Sequence, residues 1–102
     1  MSEAPQFSVD RDTSGALHLR GEISYLNAAR ALREAPQHLS GESATDLDLR
    51  GLRHADSATL AVLIAWSARA RRHGARLNYT HAPPGLRNLA RLCDVEQLLG
   101  LN

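Results

Sequence analysis

The stretch from Leu47 to Trp66, LDLRGLRHADSATLAVLIAW, constrains the fold more than any other part of the chain. Its approach, Thr45-Asp46-Leu47-Asp48-Leu49, alternates apolar and polar residues in the two-residue period of a half-buried strand. A turn is expected through Gly51. Asp56 or Ser57 then suits the N-cap of a helix running to about His73. Gly74 fits the stop after that helix, and Arg69, Arg71 and Arg72 lie where the helix dipole favours cations.

The remaining segments supply partners for this unit. Residues 1–5 read as a frayed start, and Phe7-Ser8-Val9-Asp10 as a short edge strand. Asp12-Thr13-Ser14-Gly15 is turn chemistry, and Ala16 to Gly21 alternates again, so the two strands form a hairpin. Tyr25 to roughly His38 is expected to be helical, with Leu26, Ala29 and Leu32 or Arg33 at helical spacing and Pro36 loosening the end. Gly41-Glu42-Ser43 punctuates the chain before the strand at Thr45. Arg76 to Thr80 is a fourth strand, Pro83-Pro84 opens a helix from Gly85 to about Cys93, and a last turn carries Leu98, Leu99 and Leu101. The order is β-β-α-β-α-β-α. Strands separated by helices imply parallel pairs, so the expected class is α/β, with a small mixed sheet of about four strands and three to four helices. The 102 residues, 43% of them hydrophobic, make one domain over residues 1–102 with a core that needs no metal or disulfide.

Composition narrows the function. A single cysteine, Cys93, excludes a disulfide framework and a multi-cysteine metal site. A net charge of +1 and only four aromatics, Phe7, Tyr25, Trp66 and Tyr79, argue against a nucleic-acid partner. No apolar run reaches the length of a membrane span, and residues 1–5 lack the pattern of a secretory signal, so the cytoplasm is the expected compartment. No glycine-rich phosphate loop is present, and the histidines at 18, 38, 54, 73 and 81 include no i,i+4 pair. Cofactors and metals are therefore expected to be none. His54, Asp56 and Ser57 are too close in sequence for a catalytic triad, and the chain reads as a non-enzyme. The basic run from Arg69 to Arg76 reads as a solvated helix end, without direct membrane insertion.

The long helix presents two apolar sides. Leu60, Leu63, Ile64, Ser67 and Ala70 form the stripe expected to face the sheet. Ala58, Val62, Trp66 and Arg69 lie roughly opposite. That side is either a partner surface, since Trp and Arg are favoured at interface hot spots, or the place where Trp66 folds over the first helix or the C-terminal turn.

The segment LDLRGLRHADSATLAVL resembles the signature of STAS domains, the fold of anti-sigma-factor antagonists. Leu19-Arg20-Gly21-Glu22-Ile23 resembles the family's Leu-x-Gly-Glu-Leu/Ile opening, Asp56-Ser57-Ala58-Thr59-Leu60 its Asp-Ser-Ser-Gly-Leu turn, and Gly85-Leu86-Arg87-Asn88-Leu89 the segment of its last helix. The resemblance covers nearly the whole chain. The family's phosphorylated serine corresponds to Ala58, which has no oxygen to accept a phosphate, and Thr59 replaces the glycine. The turn is closer to the MlaB branch, Asp-Thr-Gly-Gly-Leu, in which the hydroxyl after the Asp corresponds to Ser57. That branch implies a small non-catalytic subunit bound to the cytoplasmic ATPase, MlaF-like, of an inner-membrane ABC complex that moves phospholipids, and through it to a permease. The site implied is Arg53, His54 and Ala55 with Asp56, Ser57, Ala58 and Thr59, extended along the helix by Val62 and Trp66. The alternative is an anti-sigma-factor antagonist in a kinase-controlled partner switch.

Overall fold

The computed structural model describes residues 6–34 and 44–101. The expected features at residues 1–5, at Pro36 and His38, and at Gly41 to Ser43 lie outside these. The elements run β1 (Phe7–Arg11), β2 (Leu17–Glu22), α1 (Ala28–Arg33), β3 (Ala44–His54), α2 (Ser57–Arg72), β4 (Arg76–Thr80), α3 (Pro84–Leu92) and α4 (Glu96–Leu99). The sheet has the order β1-β2-β3-β4, antiparallel at β1–β2 and parallel at the other two pairings. This is the expected mixed sheet of four strands. The hairpin turn is built by Asp12, whose Oδ1 accepts the N–H of Ser14 at 2.8 Å and of Ala16 at 3.0 Å.

Alternation decides the two faces of the sheet. Leu17, Leu19, Leu47, Leu49, Leu77 and Tyr79 point into the core and are buried. Ser8, Arg20, Asp46 and Arg50 point the other way and are exposed. On that face Asp48 is held by Arg50 at 2.8 Å and His81 at 3.3 Å.

Strand β3 is longer than the alternation of Thr45–Leu49 suggests, and Gly51 is a strand residue rather than a turn. Asp48 Oδ1 accepts the Arg50 N–H at 2.8 Å, and the register slips there, from His18↔Asp48 to Arg20↔Gly51. One extra residue is absorbed as a bulge, and the buried positions change phase, from Thr45, Leu47 and Leu49 to Leu52. Strict alternation stops at the bulge, although the strand continues. Gly51 allows the close pairing, since a Cβ there would sit 2.8 Å from Arg20 Cγ.

Helix α1 starts three residues after Tyr25, because Asn27 occupies the turn before it. The Asn27 Oδ1 accepts the Ser24 N–H at 2.8 Å, and its Nδ2 donates to the Glu22 carbonyl at 2.9 Å. The face is also reversed. Ala31 is fully buried and Ala28 packs on the core, whereas Leu26, Ala29 and Leu32 are exposed.

Helix α2 buries Leu60, Leu63, Ser67 and Ala70, with Ile64 partly covered, as its spacing predicts. It also buries Val62 and Trp66, which corrects the reading of these two as a partner surface. Trp66 is 2% exposed, its Nε1–H donates to the Ala31 carbonyl at 3.0 Å, and its ring lies 6.0 Å from that of Phe7. Helix α1 covers the side of α2 that would otherwise be free, so Trp66 folds over the first helix. Strand β4 has the expected bounds. Helix α3 begins at Pro84, with Pro83 as N-cap and Leu86 and Ala90 buried, and α4 anchors the end of the chain through Leu99.

Candidate functional site

The turn between β3 and α2 has a geometry set by four consecutive residue types. Asp56 is extended and caps the helix, and its Oδ1 accepts the Thr59 N–H at 3.0 Å. The Asp56 N–H donates in return to Thr59 Oγ1 at 3.0 Å, which completes a capping box. The Thr59 hydroxyl donates its proton to the carbonyl of Ile23, 36 residues earlier in the chain. Thr59 is fully buried. Its hydroxyl belongs to the scaffold and fastens the segment after β2 to the first turn of α2.

Asp56 is also touched from the strand side, where His54 Nε2 lies 3.1 Å from its Oδ2. Partial burial raises the carboxyl's pKa. Hydrogen bonds from the Thr59 N–H, His54, the Thr59 hydroxyl and the Ala58 N–H outweigh it, so the net pKa is lowered and Asp56 is an anion. A carboxylate at this end of a helix is further favoured by the dipole.

Ser57, the first residue of α2, is exposed, and Ala58 beside it is half-buried. Arg53 and His54, the last residues of β3, are exposed. The structure therefore brings together Arg53, His54, Asp56, Ser57, Ala58 and Thr59 at one end of the sheet. Val62 and Trp66 lie in the core.

Tyr25 and Leu26, which the sequence reading did not assign to the site, stand close by. They are 77% and 64% exposed, on the segment that Thr59 fastens through Ile23. The signal that finds them is Asn27. An Asn able to form a side-chain turn ahead of the Ala28/Ala31 pair places the preceding Tyr and Leu outside the helix, on the surface. The arrangement is a hydrogen-bonded head with one exposed hydroxyl on the helix and two exposed apolar side chains on the segment that Thr59 ties to it. Such a surface fits recognition of another protein.

A family model described as Mlab, STAS domain matches residues 8–100. The chain belongs to the MlaB STAS-domain family. This STAS domain is also similar in structure to a chain of the Acinetobacter MlaFEDB complex in its ATP-bound Vtrans2 conformation. The match has a TM-score of 0.75 at 20% identity and covers 93% of this chain and 99% of that one. An anti-sigma factor antagonist from Mycobacterium paratuberculosis is similar with a TM-score of 0.67 at 20% identity, over 95% of this chain and 84% of that one. Comparison with curated protein sequences gave no match. No helix among the described residues of the STAS domain is long and apolar enough to cross a membrane.

Proposed function

We propose that the chain is a non-catalytic subunit of a bacterial inner-membrane ABC transporter that moves phospholipids, bound to and stabilising its cytoplasmic ATPase. The observation that carries this reading is the composition of the α2 head. The position of the family's phosphorylated serine is Ala58, and Thr59 is buried in its capping box. A phosphate-operated switch lacks its acceptor there, whereas a constitutive docking surface needs only shape and exposure. Similarity to a chain of the MlaFEDB complex supports the same reading.

In this reading Ser57, Tyr25 and Leu26 touch the ATPase, with Arg53 and His54 at the rim, and Asp56 and Thr59 hold the shape. Binding acts on the ATPase by favouring the conformer that fits this head, by no more than the difference in affinity between conformers.

Tagged full-length chain should be recovered from detergent-solubilised native membranes, with mass spectrometry of its companions and of residues 56–60. An ABC ATPase with its permease, and an unmodified turn, is the expected result. Leu26→Asp and Ser57→Arg should abolish the recovery while the far-UV spectrum and unfolding midpoint stay unchanged. A soluble kinase and phosphate on Ser57 would replace this reading with the partner switch of anti-sigma-factor antagonists.

A further inference from the structure

Strand β1 is an outermost strand of the sheet, and its outer edge has a definite hydrogen-bonding phase. The Glu22 N–H donates to the Gln6 carbonyl at 2.9 Å, and the Asp12 N–H to the Ala16 carbonyl at 2.8 Å. Between these two bonds the register pairs Ser8 with Arg20 and Asp10 with His18. In an antiparallel ladder every second pair is hydrogen-bonded, so Ser8 and Asp10 turn their backbone groups toward β2. Phe7 and Val9 turn their N–H and C=O groups outward. Among the described residues nothing bonds to these outward groups.

Proteins usually blunt such an edge with lysine, proline, a bulge or a covering element. Phe7–Arg11 contains neither lysine nor proline. Its register with β2 is unbroken over the whole strand, unlike the register of β2 with β3. A regular edge with unpaired backbone groups is a template for a further strand.

The sequence of β1 is complementary to itself. A two-fold axis through Ser8 places Phe7 of one copy opposite Val9 of the other, and Ser8 opposite Ser8. Phe7 and Val9 both carry outward backbone groups, so each such pair exchanges both of its N–H···O bonds. Their half-buried side chains, on the core side of the sheet, form an aromatic–β-branched cross-strand pair, a stabilising type. On the open side the exposed Gln6 and Asp10 stand opposite each other, an amide donor against a carboxylate acceptor. No like charges are opposed. Sliding one copy by two residues puts Arg11 opposite Phe7 instead, and draws its guanidinium from the Gly15 carbonyl that it holds at 2.7 Å.

We propose that β1 is a self-association edge, on which a second copy of this chain adds its own β1 antiparallel and centred on Ser8. The two four-stranded sheets then become one continuous sheet. The contact is isologous, so it closes at a dimer and leaves no β1 edge exposed. One strand pair is small beside the roughly 1,200–2,000 Å² of a standard interface, so association is weak and depends on concentration. The inference rests on the sheet edge and not on the α2 head.

The test is sedimentation equilibrium of the full-length chain over roughly 10 µM to 1 mM, the range suited to so small an interface. The average mass should rise from 11.1 kDa toward twice that value. Amide exchange followed by NMR should slow with concentration at Phe7 and Val9, and stay constant at Ser8 and Asp10, which β2 already holds. Ser8→Asp and Ser8→Lys, at an exposed position, each oppose like charges across the axis. Each should weaken association at least tenfold, and an equimolar mixture of the two should associate again. Val9→Pro removes an N–H that the monomer does not use, so it should block association while the far-UV spectrum is kept. A mass of 11.1 kDa at every concentration, association that survives both Ser8 substitutions, or exchange at Phe7 and Val9 independent of concentration would overturn the proposal.

Discussion

The indole N–H of Trp66 is hydrogen-bonded to the carbonyl of Ala31, at 3.0 Å, in the interior between α1 and α2. This bond turns the largest side chain of α2 away from any partner and makes it the anchor of α1. Trp66→Ala should therefore destabilise the domain by about 3–5 kcal/mol. Trp66→Phe keeps most of the packing but leaves the Ala31 carbonyl unpaired, and should cost about 1–3 kcal/mol. Urea unfolding followed by circular dichroism separates the two.

Thr59 makes a second prediction, because three groups depend on one hydroxyl and its backbone N–H. Thr59→Val preserves the shape but strips a partner from the Asp56 N–H and the Ile23 carbonyl, at an expected loss of about 2 kcal/mol. Thr59→Ser keeps the hydroxyl and should lose less than half as much. Equal losses in the two variants would show that the methyl group, not the capping box, carries the effect. Denaturant midpoints at equal slope give the comparison.

Acid should destabilise the domain through its aspartates. Burial opposes ionisation of both Asp56 and Asp48, yet hydrogen bonds and, at Asp48, the Arg50 charge lower both pKa values on balance. A hydrogen bond from Ser14 is the largest cause of the lowered pKa of Asp12, followed by one from His18. A carboxyl with a lowered pKa in the folded state stabilises it above the unfolded pKa of about 3.9, and that stability disappears as pH falls through the folded values. Unfolding free energy should be insensitive to these groups near neutrality and drop below about pH 4. Asp56→Asn should reduce the acid drop as well as the neutral stability.

Gly21 and Gly15 both have positive φ, yet their substitution by alanine should differ. At Gly21, φ is +99° and a Cβ would stand 2.2 Å from the Gln6 carbonyl oxygen, which accepts the Glu22 N–H at 2.9 Å. At Gly15, φ is +91° and nothing lies within 4 Å. Gly15→Ala meets only the backbone penalty, about 1–3 kcal/mol. Gly21→Ala must also displace β1 and should shift the thermal midpoint further.

Much of this architecture is legible in the sequence, because local chemistry and tertiary structure agree there. Arg76–Thr80 is bounded by the Gly74 stop and alternates cleanly, and Asp56 precedes a long apolar periodicity. The misreadings have separate physical origins. Leu26, Ala29 and Leu32 have the spacing of a buried face, but the small residues Ala28 and Ala31 let α1 approach α2 closely, so the leucines are left outside. Trp66 was open to either reading from α2 alone, since its burial depends on a helix more than 30 residues earlier. Gly51 resembled a turn because a bulge at Asp48 is made by a side chain, and periodicity carries no trace of it. In the α2 head, Asp56 and Ser57 are visible as local capping signals. Asn27 signals that Tyr25 and Leu26 are exposed, but not that their segment is tied to this head, because that depends on the Thr59–Ile23 bond across the chain.

The spatial order of the strands, β1-β2-β3-β4, is also their order of synthesis. Chains emerge from the ribosome N-terminus first, at about 5–20 residues per second. Each new strand of this sheet meets a free edge left by the one before it, and none has to insert between two that are already joined. The β1–β2 hairpin can form as soon as it emerges, and β3 and then β4 extend it. An unpaired edge is a hazard for aggregation while it waits. Here the growing edge passes from strand to strand as translation proceeds, until β4 becomes the last.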